Sequence, residues 1–188
     1  EKRLGEILDE MRSRSRMRLE GASHSAAVAR ACSYFSPVRA FDDMTGGIEY
    51  FHFLEKTADA YSKDEKFRKE LVRKLKETAE KLFAADNLMV GYTADEEGYK
   101  ALPEELKKFK AALSDKPSRR YAFEFVPELK NEGFKTSSKV NYVARCGSFD
   151  AEAYTGALEV LKVIMNYEYL WQNLRVIGGA YGCMSNFG

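Results

Sequence analysis

The chain has 188 residues, 45% of them hydrophobic and 31% charged, and a formal net charge of +1. That length and composition support an ordinary globular core, as one domain or two small ones. The near-zero charge excludes a generally basic nucleic-acid binder and an acidic tail, and no apolar run reaches the roughly 18 residues that span a bilayer.

Glu1-Lys2-Arg3 leads straight into helical patterning, with no signal-peptide pattern ahead of it. The sequence lacks an initial Met and stops at Gly188 just past an apolar stretch, so it is expected to be an excised segment of a longer protein. Leu4, Ile7, Leu8 and Met11 recur at helical spacing and predict a helix over 2–20, broken at Gly21. Ser23 is placed to cap a second, Ala-rich helix over 26–34, which Ser36-Pro37 ends. Residues 42–47 read as a turn-rich link around Thr45-Gly46-Gly47. Ile48, Phe51, Leu54 and Ala58 predict a helix over 48–60. The clearest helix spans 63–85, where Phe67, Leu71, Leu75, Ala79, Leu82 and Phe83 form a stripe. Lys and Glu cover its outer face at i,i+4 spacing. Residues 87–93 read as a strand, and Asp95 opens another helix with Leu102, Leu106, Phe109 and Leu113 inward. The polar stretch 114–120, with Pro117, is the candidate interdomain linker.

Beyond it the chain turns apolar and aromatic. Residues 121–126 predict an extended edge segment, since Pro127 follows. Residues 139–149 alternate, with Val140, Tyr142, Ala144 and Cys146 on one face, and predict a half-buried strand. Tyr154, Leu158, Leu161, Ile164 and Met165 line an amphipathic helix over 154–167, which 170–177 continues or bends. Gly178-Gly179 then turns the chain into a strand over 180–187. The expected fold is α+β. A helix-rich domain over 1–115 precedes a linker and an incomplete strand–helix–strand α/β sandwich over 116–188.

Cys32, Cys146 and Cys183 are odd in number and widely spaced. This disfavours a disulfide scaffold and favours a reducing, cytoplasmic setting. His52-Phe53-Leu54-Glu55-Lys56 resembles the zinc motif H-x-x-E-H, in which two imidazoles share a helix face. Lys56 stands where the second His is needed, and an ammonium has no lone pair for a metal, so no metal site is expected in this chain. His24 sits among small residues with no carboxylate nearby in sequence. Arg12, Arg14, Arg16 and Arg18 lie at helical spacing between Glu10 and Glu20, and predict a solvated or acid-pairing face. Neither Gly46-Gly47 nor Gly178-Gly179 has the spacing of a phosphate loop. The second pair, however, separates Arg175 from Tyr181, two donors suited to a carbonyl or an oxyanion.

Tyr154-Thr155-Gly156-Ala157-Leu158, Tyr169-Leu170-Trp171 and the run Leu174-Arg175-Val176-Ile177-Gly178-Gly179-Ala180-Tyr181-Gly182 carry a wider resemblance. So do Ala31-Cys32-Ser33-Tyr34-Phe35-Ser36-Pro37 and Thr45-Gly46-Gly47-Ile48. Together they resemble the C-terminal, non-zinc-binding half of presequence-protease-type enzymes, a branch of the pitrilysin and insulinase zinc metallopeptidases. The resemblance implies four similar α/β domains in two halves that close like a clamshell. It places this chain at the end of the third domain and the start of the fourth. Zinc would be a cofactor of the parent enzyme, held by an inverted H-x-x-E-H motif in the N-terminal half. Peptide substrate and that N-terminal half are the implied partners, with neither nucleic acid nor membrane. Tyr181 would help stabilise the tetrahedral oxyanion, Arg175 would hold a substrate carbonyl, and Gly178 and Gly179 would let the backbone approach. An incomplete fourth domain would leave a sheet edge and favour a dimer of the segment. The alternative is a non-catalytic structural or binding module of the same clan.

Overall fold

A computed structural model describes residues 2–117, 121–126 and 128–188. The part of the linker expectation that falls on 118–120, and the edge signal at Pro127, lie outside the described residues. The chain divides into two compact units, Glu1–Arg145 and Cys146–Gly188.

The first unit is built on helices α1 (Lys2–Gly21), α2 (Ser23–Ser33), α3 (Pro37–Gly46), α4 (Ile48–Lys63), α5 (Glu65–Leu82) and α6 (Glu96–Ala111). α1 packs along α4 because their apolar stripes meet. Leu8, Ala58 and Tyr61 form a buried cluster, with Leu4, Phe67 and Leu71 against it. Leu54, on the same helix as Ala58, is almost fully buried. Burying one such side chain contributes about 1.5–3 kcal/mol.

Two expectations change here. α2 ends at Ser33, before Ser36, and Ser36 instead caps α3, accepting the Arg39 N–H at 3.4 Å with Pro37 in the first turn. A Ser cap followed by Pro is a strong helix start. The Gly46-Gly47 signal therefore marks only the end of α3, and most of the expected turn over 42–47 is helix. Gly47 is required for packing, since a Cβ there would run into the Asp43 side chain. Ser23 lies in the first turn of α2 and donates back to Leu19 and Glu20 carbonyls, so it does not act as the cap.

Asp64 caps α5, with Oδ1 accepting from Lys66 N at 2.8 Å and Phe67 N at 3.2 Å. Asp95 does the same for α6, accepting from Gly98 N at 2.9 Å. Ser114 ties the ends of these helices together: its N–H donates to Phe83 O (2.9 Å) and its carbonyl accepts from Ala85 N (2.8 Å).

The α+β expectation is overturned. Among the described residues there is no strand and no sheet, only an isolated bridge between Ala84 and Ser114. Residues 88–92, 121–126, 139–149 and 180–187 are irregular or extended. A strand is held by backbone hydrogen bonds to a neighbour, and alternation alone supplies none. Val140 and Tyr142 show the consequence: on the face whose alternation predicts burial, they are 50% and 46% exposed.

The second unit holds a short 3-10 turn (Ala151–Ala153), helix α7 (Gly156–Ile164) and, continuous with it, a π-helix (Met165–Ile177). No described residue of this unit is buried, so the apolar stripe of α7 is present but largely exposed. The tail is held by one side chain. Asn166 Oδ1 accepts from Ser185 N at 2.5 Å, and its Nδ2 donates to Ser185 O at 3.0 Å. The amide stands where a neighbouring strand's peptide would.

The expectation against disulfides also changes: Cys32 is disulfide-bonded, and Cys183 is free.

Candidate functional site

Arg175 and Tyr181 are brought together by the way the π-helix ends. Gly178 N donates to Asn173 O at 3.0 Å, and Gly179 N to Arg175 O at 3.1 Å. Ala180 N reaches back to Leu174 O at 2.9 Å. This is a Schellman-like cap with each bond one residue wider, as a wider helix demands. Gly179 takes the left-handed conformation the cap needs, at φ 73°. A Cβ on Gly178 would stand 2.7 Å from Leu174 O and 3.0 Å from Asn173 O, both backbone atoms that cannot step aside. Each glycine of the pair thus has its own requirement. Gly179→Ala strains the cap by about 1–2 kcal/mol, so amide exchange at Ala180 should rise roughly 5- to 30-fold. Unaltered exchange there would show that the cap does not depend on this residue.

The reversal sets Tyr181 beside its own helix. The Arg175 guanidinium carbon lies 4.1 Å from the centroid of the Trp171 ring and 5.9 Å from that of Tyr181. Ring contacts use the faces of a guanidinium and leave its N–H donors, which lie in the plane, for a ligand. Tyr181 is 91% exposed. Among the described residues, neither its phenol nor the Arg175 guanidinium has a hydrogen-bond partner. Two kinds of donor therefore face solvent from one helix end, ready for a carbonyl, a carboxylate or an oxyanion.

The other sequence motifs have structural partners. On α4, His52 Nδ1 lies 3.4 Å from Glu55 Oε2, and the imidazole packs on Phe51 and Phe134. Glu55 also accepts from Arg16 at 3.0 Å. Among the described residues no group of three or more His, Cys, Asp or Glu side chains converges as a metal site. His24 packs on Tyr142. The arginines of α1 act as a zipper. Arg12 reaches Asp59 (3.2 Å) and Arg16 reaches Glu55 on α4, while Arg18 donates to the Gly46 carbonyl. Arg14 pairs with Glu10 of its own helix at 2.5 Å.

The strongest electrostatic cluster carries no sequence signal. Arg30 of α2 grips Glu132, 102 positions on, with Nε at 2.8 Å and a second nitrogen at 3.0 Å. A third donor meets Asp43 of α3 at 2.5 Å, and Glu49 of α4 lies at 3.4 Å. Tyr34 donates its phenol to Glu132 and lies under the guanidinium, 5.2 Å from the ring centroid. The Arg30 bonds hold the Glu132 carboxyl down to about 2. Burial, then the bond to Glu132, pushes the Tyr34 phenol up to about 12. These groups bond to one another across α2, α3, α4 and a distant loop, so the cluster is a clasp holding segment 128–145 onto the helices.

Residues 1–56 match the family described as Peptidase M-16C associated. The chain is similar to Protein HypA of Clostridium perfringens, 30% identical over 98% of this chain and 19% of that protein. It is also similar to Presequence protease 1, chloroplastic/mitochondrial, of Arabidopsis thaliana, 26% identical over 100% of this chain and 17% of the relative. A further relative is the mitochondrial Presequence protease of Kluyveromyces lactis, 27% identical over 85% of this chain and 17% of that protein. The chain therefore spans less than a fifth of the length of these relatives. No solved structure matches it significantly.

Proposed function

We propose, for a chain that belongs to the presequence-protease-type branch of the pitrilysin family as a segment of its C-terminal half, that it supplies substrate contacts to a zinc metalloendopeptidase. Its relatives are named as proteases of presequences, which are peptides. In this reading the segment lines a chamber in the whole protein, and the peptide's reacting carbonyl meets Arg175 and Tyr181. The observation that carries the reading is the pair of unpartnered donors set at one helix end by the Gly178-Gly179 cap. Arg175 offers a forked donor set for a substrate carbonyl, and Tyr181 offers one O–H to an oxygen on which charge develops.

The donors of this chain do not fit zinc. His52 and Glu55 are joined by Lys56, and no other described His, Cys, Asp or Glu completes a set. In this reading zinc belongs to the rest of the protein.

Arg175→Ala tests the reading in the full-length protein with an unstructured fluorogenic peptide. A carbonyl held in both ground and transition states contributes mainly to KM. KM should rise about 10-fold or more with little change in kcat, because hydrogen bonds to a charged group are worth about 1.5–3 kcal/mol. Unchanged kinetics would remove Arg175 from the site. A full-length sequence without H-x-x-E-H would favour a non-catalytic module instead.

A further inference from the structure

We propose that Trp171 is a positioning residue that holds the Arg175 guanidinium for substrate, an inference that rests on the substrate-contact reading of Arg175. Trp171 and Arg175 lie four residues apart on one helix, so their side chains project along the same face. The guanidinium carbon is 4.1 Å from the Trp171 ring centroid, well within the range of a cation–π contact, and indole is the strongest of the aromatic partners. Tyr181 approaches the same guanidinium at 5.9 Å. No carboxylate among the described residues pairs with Arg175, whereas Arg12, Arg14, Arg16, Arg30, Arg39 and Arg73 all have one.

That difference has a chemical consequence. A carboxylate partner would consume the in-plane N–H donors that a substrate carbonyl needs. A ring leaves them free while restricting the long side chain to one orientation. An unheld Arg loses rotamer freedom when it binds, and a held one has lost much of it already. Trp171 thus raises affinity without touching the peptide.

The experiment is a double-mutant cycle in the full-length protein, with an unstructured fluorogenic peptide and with thermal unfolding as a control. Trp171→Ala should raise KM by roughly 3- to 30-fold, the range a cation–π contact spans between exposed and desolvated settings. It should leave kcat and the melting transition in place. Trp171→Phe keeps a ring face and should restore most of the loss, while Trp171→Leu, apolar but without a ring, should not. On an Arg175→Ala background, Trp171→Ala should add nothing. If Trp171→Leu behaves as wild type, or if the Trp171 and Arg175 effects multiply, the positioning role is overturned while the Arg175 contact stands. If Arg175→Ala itself leaves KM unchanged, the substrate contact fails and the positioning role falls with it. A melting transition lowered by every Trp171 variant, Phe included, would make the residue structural and also overturn the proposal.

Discussion

Tyr181→Phe in the full-length protein is expected to lower kcat by roughly 100- to 1,000-fold while leaving KM and the melting transition near wild type. Removing one donor from a developing oxyanion costs about 3–4 kcal/mol of transition-state stabilisation. The substitution removes a single oxygen from a side chain that is 91% exposed and has no hydrogen-bond partner among the described residues. Folding therefore has little to lose, and the loss of rate would report the phenol alone. The ring that faces Arg175 is retained, so the cation–π contact survives and KM should hold. The two donors are thereby separable. In the proposed reading an Arg175 variant should act on KM, since a carbonyl would be gripped throughout, whereas a Tyr181 variant should act on kcat, since charge would appear only in the transition state. A Tyr181→Phe protein with wild-type kcat would remove the oxyanion contact.

The helices were legible because their signals are local. Stripes such as Leu4, Leu8 and Met11 on α1, and Phe67, Leu71 and Leu75 on α5, repeat at 3.6 residues, and the cap at Asp95 follows residue type. The Gly178-Gly179 turn was legible for the same reason. The strands were not. The alternation in 139–149 states a preference for one covered face, but a sheet needs a second backbone at hydrogen-bonding distance, which no local pattern encodes. The α3 helix was hidden because the Gly46-Gly47 breaker obscured a Ser36-Pro37 start that also reads as a helix end. In the site, the proximity of Arg175 and Tyr181 could be read from their spacing across the turn. The contact of Trp171 with Arg175 could not, because their i,i+4 relation matters only once the guanidinium is found stacked on the ring. Glu132 shows the limit most plainly: its partner is 102 residues away, and nothing near it in sequence marks it.

That clasp yields the largest expected effect on stability. Asp43 is 5% exposed, and its carboxylate has two partners, the Arg30 guanidinium through Oδ2 and the Ile48 N–H through Oδ1. Arg30→Ala leaves that charge buried beside Gly47 with one neutral donor, and frees Glu132 at the same time. Breaking one side of a buried pair typically costs about 3–5 kcal/mol. Arg30 is only partly covered, so a loss of about 3 kcal/mol is expected in urea unfolding of the helical unit followed by circular dichroism. Glu132→Gln removes only the charge on the segment's side of the clasp, and screening by solvent limits its cost to about 1–2 kcal/mol near neutral pH. The sign of its pH dependence follows from the depressed carboxyl. Folding favours the ionised form, so the Glu132 contribution is fully present above the ordinary carboxylate range. It is lost as pH falls through about 2. The stability difference between wild type and Glu132→Gln should therefore be constant between about pH 5 and 9 and shrink towards zero in acid. The Tyr34 phenol acts at the other end. With its folded value raised to about 12, folding favours the protonated form, so wild-type stability should fall as pH rises from about 10 through 12. Tyr34→Phe should flatten that alkaline limb and leave the acid one intact. A wild-type-minus-Gln difference that stayed level down to about pH 2 would mean that the Arg30–Glu132 pair does not hold the segment in solution.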